Sequence, residues 1–308
     1  MLKSFVNHQI RSQKYKQNLF NQKAKKVLYH KWTKWDISVK KHHNKTLDKS
    51  QDIILAIMNS NKANIFNSAF ISDLNGCLDV IKLKEFPEEA PLVLTSNGHT
   101  FSGGIDMNEI MQMDQQDIRE FLTNLNNALE KLYTVGRMTC AIINGHAIGP
   151  GLCLALACDF RVLALENNKT QISMKDIQLG IPLTSICMEI ARSQIPRPDP
   201  LYEAIFTGRN YKPEEAFSRS IVSDACELTA DLLNFSLDIV TQTDNKSCLK
   251  PFQQMKKTLK EPGIAAMRES GEAKKLDEDF IAQVRNEDVK KVVMESISHH
   301  QSSESKKK

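Results

Sequence analysis

The stretch from Ala141 to Leu163 constrains this chain more than any other. Its pattern predicts a short apolar strand, a turn rich in small residues, an apolar helix and a second apolar strand. The turn holds Gly145, Gly149 and Gly151 within seven residues, and glycine lets a backbone approach another group closely. A helix that begins at the end of the turn directs unpaired N–H groups at the same spot. Such a spot suits a developing negative charge, although a turn that only packs a strand against a helix would have a similar sequence.

A second stretch, from Pro91 to Ile110, repeats this arrangement. An apolar strand leads into Asn97-Gly98, then into the turn from Ser102 to Gly104, and then into a polar helix start. Upstream, the apolar run Ile53–Met58 predicts the first core strand, and the spacing of apolar residues in Ile65–Lys82 predicts a helix. Alternation of strands and helices indicates an α/β fold.

The two turns, TFSGGID and NGHAIGPGLCLALACDFRV, resemble those of the crotonase superfamily, which contains enoyl-CoA hydratases and isomerases. In that family each turn gives one backbone N–H to the thioester oxygen of an acyl-CoA. The resemblance covers about Ile53 to Lys260 and implies an α/β, crotonase-type spiral of repeated ββα units with a helical C-terminal region. It also implies acyl-CoA as the bound molecule. By this resemblance, the residues expected to contact the substrate are Gly103, Gly104, Ile105, Met107 and Gly149.

A third motif, QISMKDIQLGIP from Gln171 to Pro182, resembles the segment that carries the catalytic carboxylate in the family. It is most similar to the monofunctional Δ3,Δ2-enoyl-CoA isomerases, where a Met-x-Glu-x-x-hydrophobic-Gly pattern occurs. Asp176 stands where that glutamate would, with a side chain one methylene, or about 1.5 Å, shorter. Its apolar neighbours should desolvate the carboxylate and raise its pKa. An exposed or helix-capping aspartate is the alternative.

The oxyanion donors follow from the alignment of the two turns. The resemblance places the first at the backbone N–H of Ile105 and the second at the residue after Gly149. That residue is Pro150, which has no N–H. Gly151 or Gly149 would then have to supply the second donor through a shifted turn, and otherwise the site is weak or not catalytic.

Cys153 separates the two main activities of the family. Hydratases carry a first glutamate at this position, and together with a second carboxylate it handles a water molecule. A thiol inside an apolar helix is a poor substitute for a carboxylate. The sequence therefore favours an isomerase, in which a single carboxylate moves the proton, over a hydratase.

The composition of the chain argues against a membrane-spanning protein and against a metal-binding one. The chain has 308 residues, of which 41% are hydrophobic and 25% charged, and its net charge is +4. This length and hydrophobic content are enough to bury one good-sized core. No apolar run approaches the ~20 residues needed to span a bilayer. We expect no metal, because the cysteines show no ligand spacing, and no cofactor, because the resemblance makes acyl-CoA the substrate. The cysteines are Cys77, Cys140, Cys153, Cys158, Cys187, Cys226 and Cys248.

The N-terminal segment is basic and lacks acids as far as Trp35. This composition is typical of a mitochondrial transit peptide, and the alternative is a basic arm that contacts nucleic acid or another anionic surface. No nucleic-acid-binding motif follows it, and the C-terminus lacks a peroxisomal SKL-type signal, so we expect the mitochondrial matrix rather than the peroxisome. The nine positive residues are Lys3, Arg11, Lys14, Lys16, Lys23, Lys25, Lys26, Lys31 and Lys34.

The predicted organisation has four parts: a basic extension over residues 1–45, a spiral core over 50–225, a helical region over 226–300 and a polar tail over 301–308. A helix over Phe252–Leu259 carries Lys256, Lys257 and nearby Lys260, which we interpret as a solvated basic face, with contact to the CoA phosphates as the alternative.

The main functional hypothesis is a mitochondrial Δ3,Δ2-enoyl-CoA isomerase of fatty-acid β-oxidation, assembled as a homotrimer or hexamer as the resemblance implies. The departures at Pro150, Cys153 and Asp176 support a second hypothesis, a catalytically weak or inactive crotonase-like subunit of a larger mitochondrial assembly. A hydratase or another acyl-CoA reaction, such as thioester hydrolysis, is a further alternative.

Overall fold

The computed structural model describes residues 35–60, 63–81, 86–242 and 245–305. Most of the basic extension predicted for residues 1–45 lies outside these ranges, so the transit peptide stays a prediction. In the described ranges, no helix combines the length and the apolar character that crossing a membrane requires.

Strands and helices alternate through the first two thirds of the chain, and helices make up the last third. The strands are β1 Trp35–Asn44, β2 Lys49–Met58, β3 Leu92–Ser96, β4 Thr100–Ser102, β5 Thr139–Ile143, β6 His146–Ile148, β7 Phe160–Ala164, β8 Ile172–Ser173 and β9 Asp224–Cys226. The helices of the core are α1 Ser68–Ile81, α2 Met107–Ile110, α3 Gln115–Thr134, α4 Pro150–Leu156, α5 Ser185–Gln194, α6 Pro198–Tyr202 and α7 Pro213–Ser218. The C-terminal helices are α8 Leu232–Val240, α9 Asn245–Glu269, α10 Glu272–Arg285 and α11 Glu287–Ser305, and the chain also forms a 3-10 helix over Lys175–Leu179 and a π-helical turn over Glu203–Thr207.

Two sheets stack along the spiral. The larger has the order β1-β2-β3-β5-β7-β9, with β1 antiparallel to β2 and all later pairs parallel. The smaller has the order β4-β6-β8 and is parallel. Each repeat gives one strand to each sheet and then forms a helix: β3-β4-α2, β5-β6-α4, and β7-β8 followed by the 3-10 helix. The predicted spiral of ββα units is therefore confirmed, and so is the helical C-terminal region.

The core begins earlier in the chain than predicted. Strand β1 covers Trp35–Asn44, which the sequence analysis had assigned to the basic extension, and its inward residues Trp35, Ile37 and Val39 are buried. The Trp35 ring packs 5.3 Å from that of Phe70 on α1. These residues alternate with polar ones at the period of a half-buried strand, a signal that the surrounding lysines concealed. The end of the chain also differs, because α11 continues to Ser305 through most of the predicted polar tail.

The lysines at positions 256, 257 and 260 do not form the solvated basic face that the sequence predicted. Lys256 and Lys260 on α9 are buried and form ion pairs with Asp159, whereas Lys257 is 66% exposed beside Glu261. The prediction was wrong for two of the three lysines, because their positions on α9 face the core rather than solvent.

The loops that precede the two glycine turns touch each other. Asn144 donates hydrogen bonds to the carbonyls of Ser96 and Gly98, at 3.0 Å each. The adjacent Gly145 lies so close to His99 that an added Cβ would meet the His99 carbonyl oxygen at 1.9 Å. Backbone, rather than a flexible side chain, fills that space, so only glycine fits.

We therefore expect Gly145→Ala to destabilise the fold by more than about 2 kcal/mol, because one of two packed backbones must move. Urea unfolding measures the change. Gly136→Ala is the control, since the atoms nearest to its added methyl group belong to the Gln253 side chain, at 3.3 Å and beyond, rather than to backbone. Equal stability of the two variants would contradict this account of the contact.

Candidate active site

The two glycine turns come together where the small sheet ends. A Cβ added to Gly104 would lie 2.8 Å from the Ile148 carbonyl oxygen and 3.5 Å from Pro150 Cδ, and one added to Gly151 would lie 2.5 Å from the Ser102 carbonyl oxygen. Because β4 and β6 are parallel neighbours, the turns that follow them lie side by side. The structure thus joins the two motifs that the sequence analysis paired.

The first turn leaves one N–H group without an acceptor. On either side of Ile105, the Phe66 N–H donates to the Gly104 carbonyl at 2.7 Å and the Asp106 N–H donates to the Phe66 carbonyl at 2.9 Å. The Gly103 N–H donates to the Ala63 carbonyl at 2.8 Å. Within the described part of the chain, the N–H of Ile105 has no such partner.

The second turn has lost its expected donor and keeps another. Pro150 carries a methylene, Cδ, where another residue would have its N–H, and this methylene faces Gly104. The Gly149 N–H donates to the Ser173 carbonyl at 2.8 Å, and the N–H groups of Leu152 and Cys153 donate to the Gly149 carbonyl at 2.9 and 3.2 Å. Gly149 is therefore excluded as the replacement donor. The N–H of Gly151 has no acceptor among the described residues.

The backbone at Gly149 requires glycine for two reasons. Its φ of 54° and ψ of −129° lie in a region that residues with a side chain rarely adopt. An added Cβ would also meet the Asp176 carboxylate, with Oδ2 at 3.3 Å. The glycine therefore brings the carboxylate directly against the oxyanion turn.

Asp176 lies in the 3-10 helix and is 5% exposed. Burial raises the pKa of its carboxyl to about 6, and a hydrogen bond from its own backbone N–H opposes the rise. Oδ2 has no hydrogen-bond partner among the described residues. The alternative of an exposed aspartate is thus wrong, and the carboxylate is desolvated as its apolar neighbours predicted.

Two uncharged cysteines, Cys153 and Cys187, lie near this carboxylate. Cys153 on α4 is fully buried, and its thiol is hydrogen-bonded to that of Cys187 on α5. This bond, burial and the nearby charge of Asp176 raise the pKa of the Cys153 thiol well above its usual value. The position where hydratases of the family carry a glutamate therefore holds no charge here.

The predicted residues fall into two groups. Gly104, Ile105, Gly149, Pro150, Gly151 and Asp176 surround one spot. Met107 begins α2 just beyond this turn and is half-buried against the core, and Gly103 uses its N–H in the fold.

Sequence reasoning missed Ser173, whose carbonyl accepts the Gly149 N–H and whose buried hydroxyl has no partner among the described residues. No motif marked it, because a serine inside a strand has no distinctive pattern. Across the described ranges, His, Cys, Asp and Glu form no cluster of three that could hold a metal ion.

Known proteins resemble this chain in sequence and in fold. The sequence model of the enoyl-CoA hydratase/isomerase family matches residues 48–301. Enoyl-CoA isomerase/hydratase fer4 of Mycosarcoma maydis is 36% identical over 124 residues, which are 38% of this chain and 44% of that protein. Peroxisomal enoyl-CoA delta isomerase 2 of Arabidopsis thaliana is 23% identical over 185 residues, 58% of this chain and 76% of the relative. The chain spans less than half the length of the first curated relatives that it matches.

Among solved structures, human mitochondrial delta3-delta2-enoyl-CoA isomerase superposes with a TM-score of 0.73 at 18% identity. The match covers 87% of this chain and 98% of the human one, and at this identity it shows a shared fold. The family match extends over most of the chain, from β2 to α11. The two glycine turns and the desolvated carboxylate beside them are thus those of a protein that belongs to the enoyl-CoA hydratase/isomerase family.

Proposed function

We propose that this chain is a Δ3,Δ2-enoyl-CoA isomerase that moves the double bond of unsaturated fatty acyl-CoA during β-oxidation. One observation carries the proposal: a single desolvated carboxylate, Asp176, lies against the glycine turn that follows β6. The reaction takes a proton from C2 of the acyl chain and returns one to C4, so one group that alternates between base and acid suffices. It needs neither a metal nor a cofactor.

The pKa of Asp176 suits both halves of this reaction. With a value of about 6, the carboxylate is ionised at pH 7 to 8 and can accept the C2 proton. It is also a stronger base than an ordinary aspartate, because burial destabilises its charged form. The neutral Cys153 offers no second carboxylate to hold a water, and this favours isomerisation over hydration.

The enolate oxygen formed in between needs hydrogen-bond donors. We assign these to the N–H groups of Ile105 and Gly151, which are unpaired among the described residues and flank the contact between the two turns. Pro150 Cδ occupies the place of the donor that the family motif would supply. We expect a reduced rate if Gly151 replaces the missing donor only in part, since complete loss of one donor costs about 10²- to 10³-fold in other enzymes.

The mitochondrial matrix is the location we propose, on the acid-free basic composition of the first 34 residues. The human structural neighbour is mitochondrial by its printed name, and the Arabidopsis relative is peroxisomal. The peroxisome is therefore the alternative.

For the assembly we propose a homotrimer or hexamer. An aromatic patch beside the candidate site supports association, since large exposed apolar residues mark contact surfaces. Tyr202 and Phe206 are 54% and 67% exposed and stack at 5.4 Å between ring centroids, and Ile177 beside Asp176 is 47% exposed. Gln178 ties the 3-10 helix to the π-helical turn through hydrogen bonds to the carbonyls of Thr207 and Gly208 at 2.9 and 3.0 Å. Association at this patch would thus adjoin the catalytic residues.

The alternative is a crotonase-like subunit with weak or no catalysis that acts through a protein partner. Pro150 favours it, because the residue removes a donor from the oxyanion site. The two functions predict different effects on turnover when Asp176 or Pro150 is replaced.

We expect the full chain to convert a 3-enoyl-CoA into the conjugated 2-enoyl-CoA, as followed by thioester absorbance. Asp176→Ala should lower kcat at least a hundredfold, because it removes the proton carrier. Pro150→Gly should raise kcat about tenfold or more, because it restores a backbone donor. Absence of turnover in the wild type and in Pro150→Gly, with no acyl-CoA binding, would move the assignment to the non-catalytic subunit.

Desolvation of Asp176 should also appear in the pH dependence of stability. A carboxyl pKa raised in the folded state stabilises the fold below about pH 4, and this contribution is lost as the pH rises through 6. Asp176→Asn removes the buried charge, so at pH 8 it should be more stable than wild type by on the order of 2 to 3 kcal/mol, with no gain at pH 4. Thermal unfolding at both pH values measures this. The exposed control Glu120→Gln should show no such pH-dependent gain, and a gain of equal size at both pH values in Asp176→Asn would refute the desolvation.

The aromatic patch gives a separate test of the assembly. Light scattering coupled to size exclusion should find Phe206→Ser shifted toward the monomer, whereas the control Leu259→Ser, at a 78% exposed position on α9, should keep the wild-type mass. A wild-type mass for Phe206→Ser would exclude the patch as the contact surface.

A further inference from the structure

A buried ion cluster joins the C-terminal helix α9 to the middle of the chain. Lys256 Nζ lies 2.7 Å from Asp159 Oδ2, and Lys260 Nζ lies 2.7 Å from Asp159 Oδ1. The side chains are 4%, 9% and 15% exposed for Lys256, Lys260 and Asp159. Thr139 adds donors from its backbone N–H and its hydroxyl to Oδ2, both at 2.9 Å, and Lys256 also donates to the Arg137 carbonyl at 2.9 Å.

Two cations share one carboxylate in this cluster, which leaves a net positive charge in the interior. The two ammonium groups outweigh the effect of burial and lower the pKa of Asp159 below its usual range. The Lys260 ammonium lies 4.4 Å from the centre of the Tyr133 ring on α3, a contact that accommodates the second positive charge. Burial of such groups is costly, and apolar side chains of similar volume often stabilise a fold as well or better. The cluster is therefore better explained by what it positions than by stability alone.

The carboxylate of the cluster is connected directly to the oxyanion turn. Asp159 follows the end of α4 by three residues, and α4 begins at Pro150 in that turn. The backbone between them is tied by hydrogen bonds from Ala157 N–H to the Cys153 carbonyl at 2.8 Å and from Cys158 N–H to the Ala155 carbonyl at 3.1 Å. All seven residues of α4 are buried. A displacement of Asp159 would therefore be passed along a short rigid element to Gly151.

We propose that Lys256 and Lys260 are positioning residues, which hold α4 through Asp159 so that the Gly151 N–H stays aimed at the substrate oxygen. Docking of the C-terminal helix α9 thereby controls turnover at the site. This inference rests on the proposed isomerase function. It assigns to α9 a role that neither the glycine turns nor the catalytic carboxylate requires by itself.

The protonation of Lys256 adds a readout that a packing role would not change. Burial lowers the pKa of this lysine to about 8; Asp159 opposes the decrease, Lys260 adds to it and Cys158 opposes it. Among the described residues, the charged and titratable groups that act on Lys256 are these three: Lys260 on α9, and Cys158 and Asp159 in the connection between α4 and β7. Above about pH 8, Lys256 loses its proton and Asp159 keeps only Lys260 as a cationic partner. Turnover should decline there, but an arginine at this position stays charged.

The experiment uses full-length Lys256→Met, Lys260→Met and Lys256→Arg, with Lys257→Met, on the exposed side of α9, as control. Values of kcat and KM for a 3-enoyl-CoA are measured from pH 6 to 9.5, beside thermal unfolding. The two methionine variants of buried lysines should lose about ten- to a hundredfold in kcat, since a misplacement of ~1 Å costs that much, with KM within about threefold. Lys257→Met should match wild type. Lys256→Arg should keep most of kcat and lose the decline above pH 8.

Hydrogen exchange over Pro150–Leu156 separates this inference from the proposed function. It should accelerate in Lys256→Met and not in Lys257→Met. Unchanged exchange in Lys256→Met, or a wild-type kcat in both buried-lysine variants, would overturn the positioning role. A wild-type chain without turnover, but with faster exchange in Lys256→Met, would refute the isomerase assignment and leave the mechanical link between α9 and α4 intact.

Discussion

The contact between the two glycine turns is the constraint on which the rest of the structure depends. At Gly104 and Gly151 the opposing backbones are so close that an added methyl group would meet a carbonyl oxygen at 2.8 and 2.5 Å. The parallel pairing of β4 with β6 creates this proximity, and the large sheet and α4 support it from behind. An oxyanion site needs donors from both turns at one point, so the close approach is also the condition for the proposed chemistry.

The second condition is a dry carboxylate. The short 3-10 helix after β8 places Asp176 against Gly149, and the uncharged thiols of Cys153 and Cys187 lie nearby. Burial destabilises the ionised form, and the same effect makes the carboxylate a better base at neutral pH. Burial of Asp176 therefore lowers the stability of the fold while it raises the basicity that the proposed activity needs. Such a conflict is typical of functional sites rather than of an optimised core.

The C-terminal helices complete the arrangement from the far side. Lys256 and Lys260 bind Asp159, three residues after the end of α4. Asp277 on α10 accepts hydrogen bonds from the backbone N–H and the hydroxyl of Ser185 at the start of α5, and Val289 on α11 packs against Gly180. Each contact ends on an element that carries or flanks a site residue. The last third of the chain thus supports the site, although none of the three motifs lies within it.

Much of this could be read from the sequence, because the informative features are local. Glycine spacing, the missing N–H of Pro150 and the apolar surroundings of Asp176 depend on residues a few positions apart, and they determined the fold family and the candidate carboxylate. Tertiary structure alone decided which N–H groups remain unpaired: Gly149 donates to Ser173 on β8, and only strand pairing could reveal that acceptor. It also decided that Lys256 and Lys260 are buried, since their partner Asp159 lies about 100 residues away in the sequence and leaves no local pattern. Pairing with β2 established that Trp35–Asn44 is a strand, because the surrounding lysines had concealed its alternating pattern. Local chemistry depends on residues that are close together in the sequence, whereas burial and strand pairing depend on which distant segments the fold places side by side.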